Sequence, residues 1–453
     1  MRQTLLSVPL VLLGVTASAT TDERKPNVVF IMADDLGWGD LSCYGQKKFR
    51  TPNLDRMAAE GMRFTQYYAG STVCAPSRAV LMTGYHTGHA RIRGNADVPL
   101  EPEDVTVAET LKSAGYATGI AGKWGLGNPG SVGIPNKQGF DFWYGYLDQT
   151  HAHRFYTDHL WKNEEKVDPG TAYTHDLITD EAFSFVRANR KRPFFLYLAW
   201  TIPHAEMWVP EDSMAEYRGK FPETPFVNKT ADAHPSKGYR SQATPHAATA
   251  AMISRMDRDM GRLFALLKEL GIDENTVVFF TSDNGPHKEG GRDPKFFDSS
   301  GGLRGIKRDL YEGGIRVPMI ARWPGKIPAG AVSDHVWGHW DFLPTAADLA
   351  GVKAPDGLDG TSMKAALLGR PCKTQDFLYW EFHEGAASKQ AVRHGDWKAV
   401  RLGPGQPLEL YDLKTDAAET KNLAEAHPAV VQRIEDYLRS ARTENPRWTL
   451  KGK

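Results

Sequence analysis

Asn27-Val28-Val29-Phe30-Ile31-Met32-Ala33-Asp34-Asp35 is the stretch that decides the fold. Residues 28–32 are continuously apolar and rich in β-branching, the pattern of a strand buried on both faces, and two carboxylates follow directly. Similar runs recur at Phe194-Phe195-Leu196-Tyr197-Leu198, Val277-Val278-Phe279-Phe280 and Val317-Pro318-Met319-Ile320. Between the second and third, Met252, Ile253, Met256, Met260, Leu263, Phe264 and Leu267 keep helical spacing; a helix is expected from near His246 to just before Gly271. Strand runs alternating with helices predict an α/β fold with a large, mostly parallel or mixed β-sheet flanked by helices.

The chain has 453 residues, enough for one large domain plus a smaller one. A composition shift at Ala354-Pro355-Asp356-Gly357 places the boundary, giving a main domain over 20–357 and a C-terminal α+β subdomain over 358–453. In the latter, 397–402 and 408–413 flank a Gly-Pro-Gly turn, so an antiparallel sheet is expected there, followed by a helix around 429–442. At the other end, Arg2, the apolar run 5–15 and Ala17-Ser18-Ala19 read as a signal peptide cut after Ala19, with a periplasmic or secreted product. No other segment approaches the length of a membrane span. The 55 Lys+Arg balance 55 Asp+Glu, so no global field exists to grip nucleic acid or an anionic membrane, and an anionic substrate must be held by local cations. Three cysteines, Cys43, Cys74 and Cys372, cannot form a disulfide framework, and an odd count leaves one over.

In open α/β sheets, ligands bind outside the carboxyl ends of the strands. Asp34 and Asp35 follow the first run, Asp283 and Asn284 the third, and Thr201-Ile202-Pro203-His204 the second. Two acidic doublets meeting in a low-dielectric cleft would repel, and a hard cation resolves the repulsion: carboxylates and an amide oxygen suit Ca2+ or Mg2+ rather than zinc. Taken singly, Asp35 could instead cap a helix and Asp283-Asn284-Gly285 make a turn. Cys74-Ala75-Pro76-Ser77-Arg78 predicts a helix start just after Cys74, setting its side chain near the positive end of a helix and beside a guanidinium. From the residues alone this is a nucleophile, an anion site or a buried cysteine.

That pentapeptide, followed by Leu81-Met82-Thr83-Gly84, resembles the signature of the formylglycine-dependent sulfatases. The stretches 27–37, 51–55, 115–123, 282–285 and 311–318 resemble that family's blocks in the same order. The resemblance implies an alkaline-phosphatase-like fold and conversion of Cys74 to 3-oxoalanine (formylglycine) by a separate maturation enzyme. It also implies one Ca2+ held by Asp34, Asp35, Asp283, Asn284 and the modified Cys74. By the same carry-over, Arg78 holds the formylglycine hydrate, Lys123 and Lys307 grip sulfate oxygens, and His204 is a general-acid candidate.

The sequence departs from the family where a histidine commonly follows Lys-Trp; here Lys123-Trp124 is followed by Gly125. The deprotonating role then falls to another group such as His287 or His153, or to the metal environment. Loops at 144–153 and 287–293, rich in aromatic, His and charged groups, are expected to set specificity, with His153, His287, Arg292 and Asp293 as substrate-binding candidates. The resemblance points to an exo-acting sulfatase of sulfated carbohydrate, of galactose or N-acetylgalactosamine type. The alternatives are an arylsulfatase of broad specificity, a phosphomonoesterase or phosphonate hydrolase of the same superfamily, and a non-enzymatic binder of sulfated glycans.

Overall fold

A computed structural model describes residues 24–452; the expected signal peptide lies outside them. Eleven strands form the main sheet: β1 Asn27–Ala33, β2 Met62–Tyr68, β3 Ala117–Lys123, β4 Phe142–Tyr146, β5 Leu160–Lys162, β6 Glu165–Val167, β7 Phe194–Ala199, β8 Thr276–Ser282, β9 Arg316–Arg322, β10 Ala331–Ser333 and β11 Trp337–Gly338. Their order is β10-β2-β9-β8-β1-β7-β3-β4-β5-β6, with β11 paired to β2. The centre, β8-β1-β7-β3-β4, is parallel throughout, whereas β9 runs antiparallel to both β8 and β2. The sheet is therefore mixed, and the run at 317–320 is a strand of opposite direction.

Alternation along β1 explains why this strand organises the core. Val29, Ile31 and Ala33 pack on one face with the helices Thr174–Asn189 and Pro245–Glu269, while Val28, Phe30 and Met32 pack on the other with Val107–Ser113 and Phe342–Ala350. The helix expected from near His246 thus starts one residue earlier, at Pro245, whose fixed φ suits a first helical position.

A second sheet, β12 Leu378–Phe382, β13 Lys389–His394, β14 Trp397–Arg401 and β15 Glu409–Asp412, is antiparallel throughout. One face carries the helix Pro428–Leu438, shorter than the 429–442 expected. Trp380, Phe382, Ala391 and Val400 on the other face pack with Tyr68, Val80 and Ile315 of the main domain. The chain just past the expected boundary still belongs to the main core, through Met363 and Leu367.

Buried polar groups pin the two parts together. Lys398 Nζ lies 3.0 Å from Glu312 Oε1 and 3.4 Å from Glu419 Oε1, all fully buried. Burial pushes Glu312 up, but Lys398, Arg316 and Arg393 outweigh it and hold the carboxyl at about 2. Lys398→Met should therefore strand two carboxylates in the interface and destabilise the fold by about 3–5 kcal/mol. Thermal unfolding and limited proteolysis near 360–380 check this; unchanged values would mean the triad adds no net stability.

Candidate active site

Strand register converges the chemistry on one end of the sheet. Ala33 pairs with Ser282, so Asp34 and Asp283 emerge side by side, and Asp283 N donates to Ala33 O at 3.1 Å. Gly122 pairs with Ala199 across β3 and β7, which brings Lys123 and the turn 201–204 to the same edge. The helix Cys74–Thr83 approaches from the side, with Val73 as its N-cap; Cys74 is the first helical residue rather than the one before it.

Asp34, Asp35, Cys74 and His204 each bring a ligand-type atom within 4.8 Å of the others. Cys74 Sγ is 3.3 Å from Asp34 Oδ1 and 4.0 Å from Asp35 Oδ1. Asp35 has a left-handed backbone, φ 64°, and its N–H donates to Asp283 Oδ1 at 3.0 Å, so it closes the cluster and caps no helix. Asn284 Nδ2 donates to Asp35 Oδ1 at 2.5 Å, while its carbonyl Oδ1 is buried with no hydrogen-bond partner. An orphaned buried acceptor beside three carboxylates is an arrangement that a hard cation satisfies.

Three cations face the carboxylates. Lys123 Nζ is 2.8 Å from Asp34 Oδ2, Lys307 Nζ is 2.7 Å from Asp35 Oδ2, and the Arg78 guanidinium lies 2.8 Å from Asp283 Oδ2 and 3.5 Å from Asp34 Oδ2. Burial raises the Asp34 carboxyl, but Lys123, His204, Arg78 and Lys307 prevail and hold it well below the usual range. Asp283 goes the other way, to about 7, because burial and the Asp34 charge outweigh Arg78. Burial and Asp34 likewise push the Cys74 thiol well above its ordinary value, so the unmodified side chain is a neutral thiol and a weak nucleophile.

A bank of imidazoles forms the opposite wall. His204 stacks on His153 with centroids 4.1 Å apart and on His287 at 5.0 Å, and Tyr239 tilts across the first two. Burial and Lys307 push His204 well below 6.5; its Nδ1 sits 2.6 Å from Ala205 O and its Nε2 2.9 Å from Lys307 Nζ. The neutral ring thus donates through Nδ1 and accepts through Nε2. Both nitrogens of His287 are engaged, Nε2 with Pro203 O at 3.0 Å and Nδ1 with Glu289 N at 3.0 Å, so this ring braces the turn that carries His204. His153 is half-buried and held neutral by burial and by His204.

A sulfatase family model matches residues 26–352, spanning the helix, the strand ends and both lysines. The chain is a member of the sulfatase family. It is a sulfuric ester hydrolase by membership, and the model for the C-terminal part of N-sulphoglucosamine sulphohydrolase covers residues 305–444 of the same enzyme. This sulfatase is 34% identical over 444 residues to the rat N-acetylgalactosamine-6-sulfatase, covering 88% of this chain and 75% of the relative. With the N-acetylgalactosamine-6-O-sulfatase of Bacteroides thetaiotaomicron it shares 29% identity, covering 93% and 94%. The solved structure of Ps i-CgsB in complex with k-i-k-neocarrahexaose superposes with a TM-score of 0.80 at 29% identity, covering 94% and 95%.

The sulfatase brings Asp34, Asp35, Cys74, Arg78, Lys123, His204, Asp283, Asn284 and Lys307 into one buried cluster, with His153 and His287 against it. The other two substrate-binding candidates are engaged in hydrogen bonds within the protein. Arg292 is buried, donating to Asp35 O at 2.8 Å and Asp40 Oδ2 at 2.5 Å, and so braces the loop that carries Asp35. Asp293 caps the short helix Pro294–Phe297 by accepting from Lys295 N and Phe296 N. Cys43 and Cys372 are both free and half-buried, not paired. Sequence reasoning passed over Tyr239 and Asn95; the latter's Oδ1 accepts from Ala75 N at 3.0 Å, beside the cysteine, and no spacing pattern announces it.

The glycine after Lys-Trp has a local cause. Gly125 adopts φ 76°, and a Cβ there would sit 1.9 Å from Gln149 Nε2. A histidine there would carry the strain of the left-handed backbone and would need the end of Gln149 to swing away.

Proposed function

We propose that this sulfatase removes sulfate from a sulfated carbohydrate, one sugar at a time, using a nucleophile made from Cys74 and a bound Ca2+. The observation that carries this is the siting of Cys74: it opens a helix, touches Asp34 and Asp35, and has Lys123, Lys307 and Arg78 converging on those carboxylates.

Asp34, Asp35, Asp283 and the free Oδ1 of Asn284 would hold the calcium, whose two charges turn a cluster balanced between three carboxylates and three cations into a trap for an anion. A hydrated aldehyde in place of the thiol would supply two hydroxyls on one carbon, one as the nucleophile toward sulfur and one whose deprotonation would let the carbonyl re-form as sulfate leaves. Arg78 anchors the nucleophile helix by gripping Asp283 and the Lys123 carbonyl. Lys123 and Lys307 would meet the charge that builds on the equatorial sulfate oxygens. The His204–Lys307 pair would deliver a proton to the leaving oxygen, since Lys307 carries the hydrogen that His204 Nε2 accepts. His153, neutral and with no hydrogen bond from its ring among the described residues, is the better-placed base, His287 being tied at both nitrogens.

Among the described residues no helix is long and apolar enough to cross a membrane. Export by the 1–19 leader and maturation by a formylglycine-generating enzyme belong to the same proposal.

Sulfate release from galactose and N-acetylgalactosamine sulfates, before and after chelation and calcium return, tests the reading. Turnover that falls at least about tenfold on chelation and recovers with Ca2+ is expected. Turnover of 4-nitrocatechol sulfate alone would overturn the carbohydrate reading, and faster hydrolysis of a phosphate or phosphonate ester would overturn the reaction class.

A further inference from the structure

A cavity of about 320 Å3 opens just past the carboxyl end of β3, at Gly125, at the small end of the range for small-molecule sites, about 300–1,000 Å3. Asn95, Asp97, Gly125, Asn128, Asp148 and Gln149 line it, and none of its lining residues is cationic. Two hydrogen bonds tie its lining to the reaction centre. Asn95 is bonded to the amide that follows Cys74, and Gln149 Nε2 donates to Gly125 O, two residues beyond Lys123.

The lining reads as a surface for hydroxyls. Asn95, Asn128 and Gln149 offer carboxamides that donate and accept, and Asp97 and Asp148 accept only. Both carboxylates are held in place: Asp97 accepts from Asn128 Nδ2, and Asp148 Oδ1 from His151 N at 2.7 Å. Asp97 is exposed and Asp148 half-buried, so the cavity is open to solvent and to a ligand. Gly125 lines it without a side chain, and a Cβ there would collide with Gln149 Nε2 at 1.9 Å. Two carboxylates with no lining cation would repel any second anionic group on the sugar, whereas the sulfate undergoing hydrolysis would be met by Lys123 and Lys307, which do not line the cavity.

Resting on the carbohydrate reading above, we propose that this cavity is the sugar subsite, and that Asp97 and Asp148 restrict the sulfatase to a ring whose only anionic group is the sulfate being removed. A sugar bearing a second sulfate or a carboxylate must then lose it to another hydrolase before this enzyme acts.

The test compares kcat/KM for galactose and N-acetylgalactosamine carrying one sulfate with that for the same sugars carrying two, in wild type, Asp97→Asn and Asp97→Asn/Asp148→Asn. Wild type should prefer the monosulfated sugar by at least about tenfold, mainly through KM, with the preference shrinking in high salt. The double variant should bring the ratio within about threefold of unity, and Asp97→Glu should restore most of what Asp97→Asn loses. Asp97 lies on an exposed loop, so its single variant keeps the comparison usable where the double one fails to fold. A wild-type ratio near one, or a ratio unmoved by the Asn variants, overturns the subsite while leaving the sulfatase on sugars intact. Hydrolysis of 4-nitrocatechol sulfate with no sugar sulfate turned over overturns the carbohydrate reading itself, and the subsite with it.

Discussion

Cys74→Ala is expected to lower sulfate-ester turnover by at least about 10⁴-fold while leaving the protein folded. The two halves of that expectation have separate causes. Among the described residues Sγ makes hydrogen-bond contact only with Asp34 and Asp35, and the Cys74 backbone is the first turn of a helix that alanine continues well, so little packing is lost. What disappears is the thiol whose replacement by a hydrated aldehyde would supply the nucleophile facing the three buried cations. The comparison is kcat on 4-nitrocatechol sulfate and on a sulfated sugar for both proteins, with thermal unfolding as the control for folding. Above about 1% residual turnover in the alanine variant, with intact unfolding, no nucleophile from residue 74 could be retained. The mass of the tryptic peptide containing residue 74, about 18 Da below that of the thiol form for the aldehyde, tells whether the wild-type protein carries the modification.

How far the site could be read from sequence depends on what sets each side chain in place. Asp34, Asp35, Asp283 and Asn284 were legible because each pair directly follows an apolar run, and β1 and β8 are buried on both faces with a register that leaves their ends level. Lys123 was legible only through the family resemblance, since β3 lacks a continuous apolar run. Its glycines are there for close packing: a Cβ at Gly119 would meet the Phe185 ring at 2.7 Å, and one at Gly122 would meet Ala199 O at 1.8 Å. Such glycines erase the strand signal at the strand that carries a site cation. Arg292 and Asp293 show the converse. A charged loop looks like a binding surface in sequence, but Arg292 finds Asp40, some 250 residues earlier in the chain, and Asp293 finds the amides ahead of it. The direction of β9 was hidden for a related reason, because an apolar run records burial and not orientation.

His204→Ala should separate leaving-group chemistry from sulfate binding. Its Nε2 faces Lys307 Nζ at 2.9 Å and Asp35 Oδ2 at 3.1 Å, so ring and ammonium form one hydrogen-bonded unit at the mouth of the cluster. A sugar alkoxide is a poor leaving group and needs a proton as the S–O bond breaks; a nitrocatechol leaves as a stabilised phenolate and does not. The alanine variant should therefore lose about 10²–10⁴-fold in kcat on sugar sulfates and far less on 4-nitrocatechol sulfate. Lys307→Ala removes both the proton and a cation that would hold sulfate, so it should slow both substrates, the sugar sulfate more. Because the two side chains share one hydrogen bond, the double variant should be little worse on sugar sulfates than the worse single one. Equal losses on both substrates in His204→Ala would assign the imidazole to sulfate binding or to support of Lys307. Additive losses in the double variant would dissolve the pair as a proton-delivering unit.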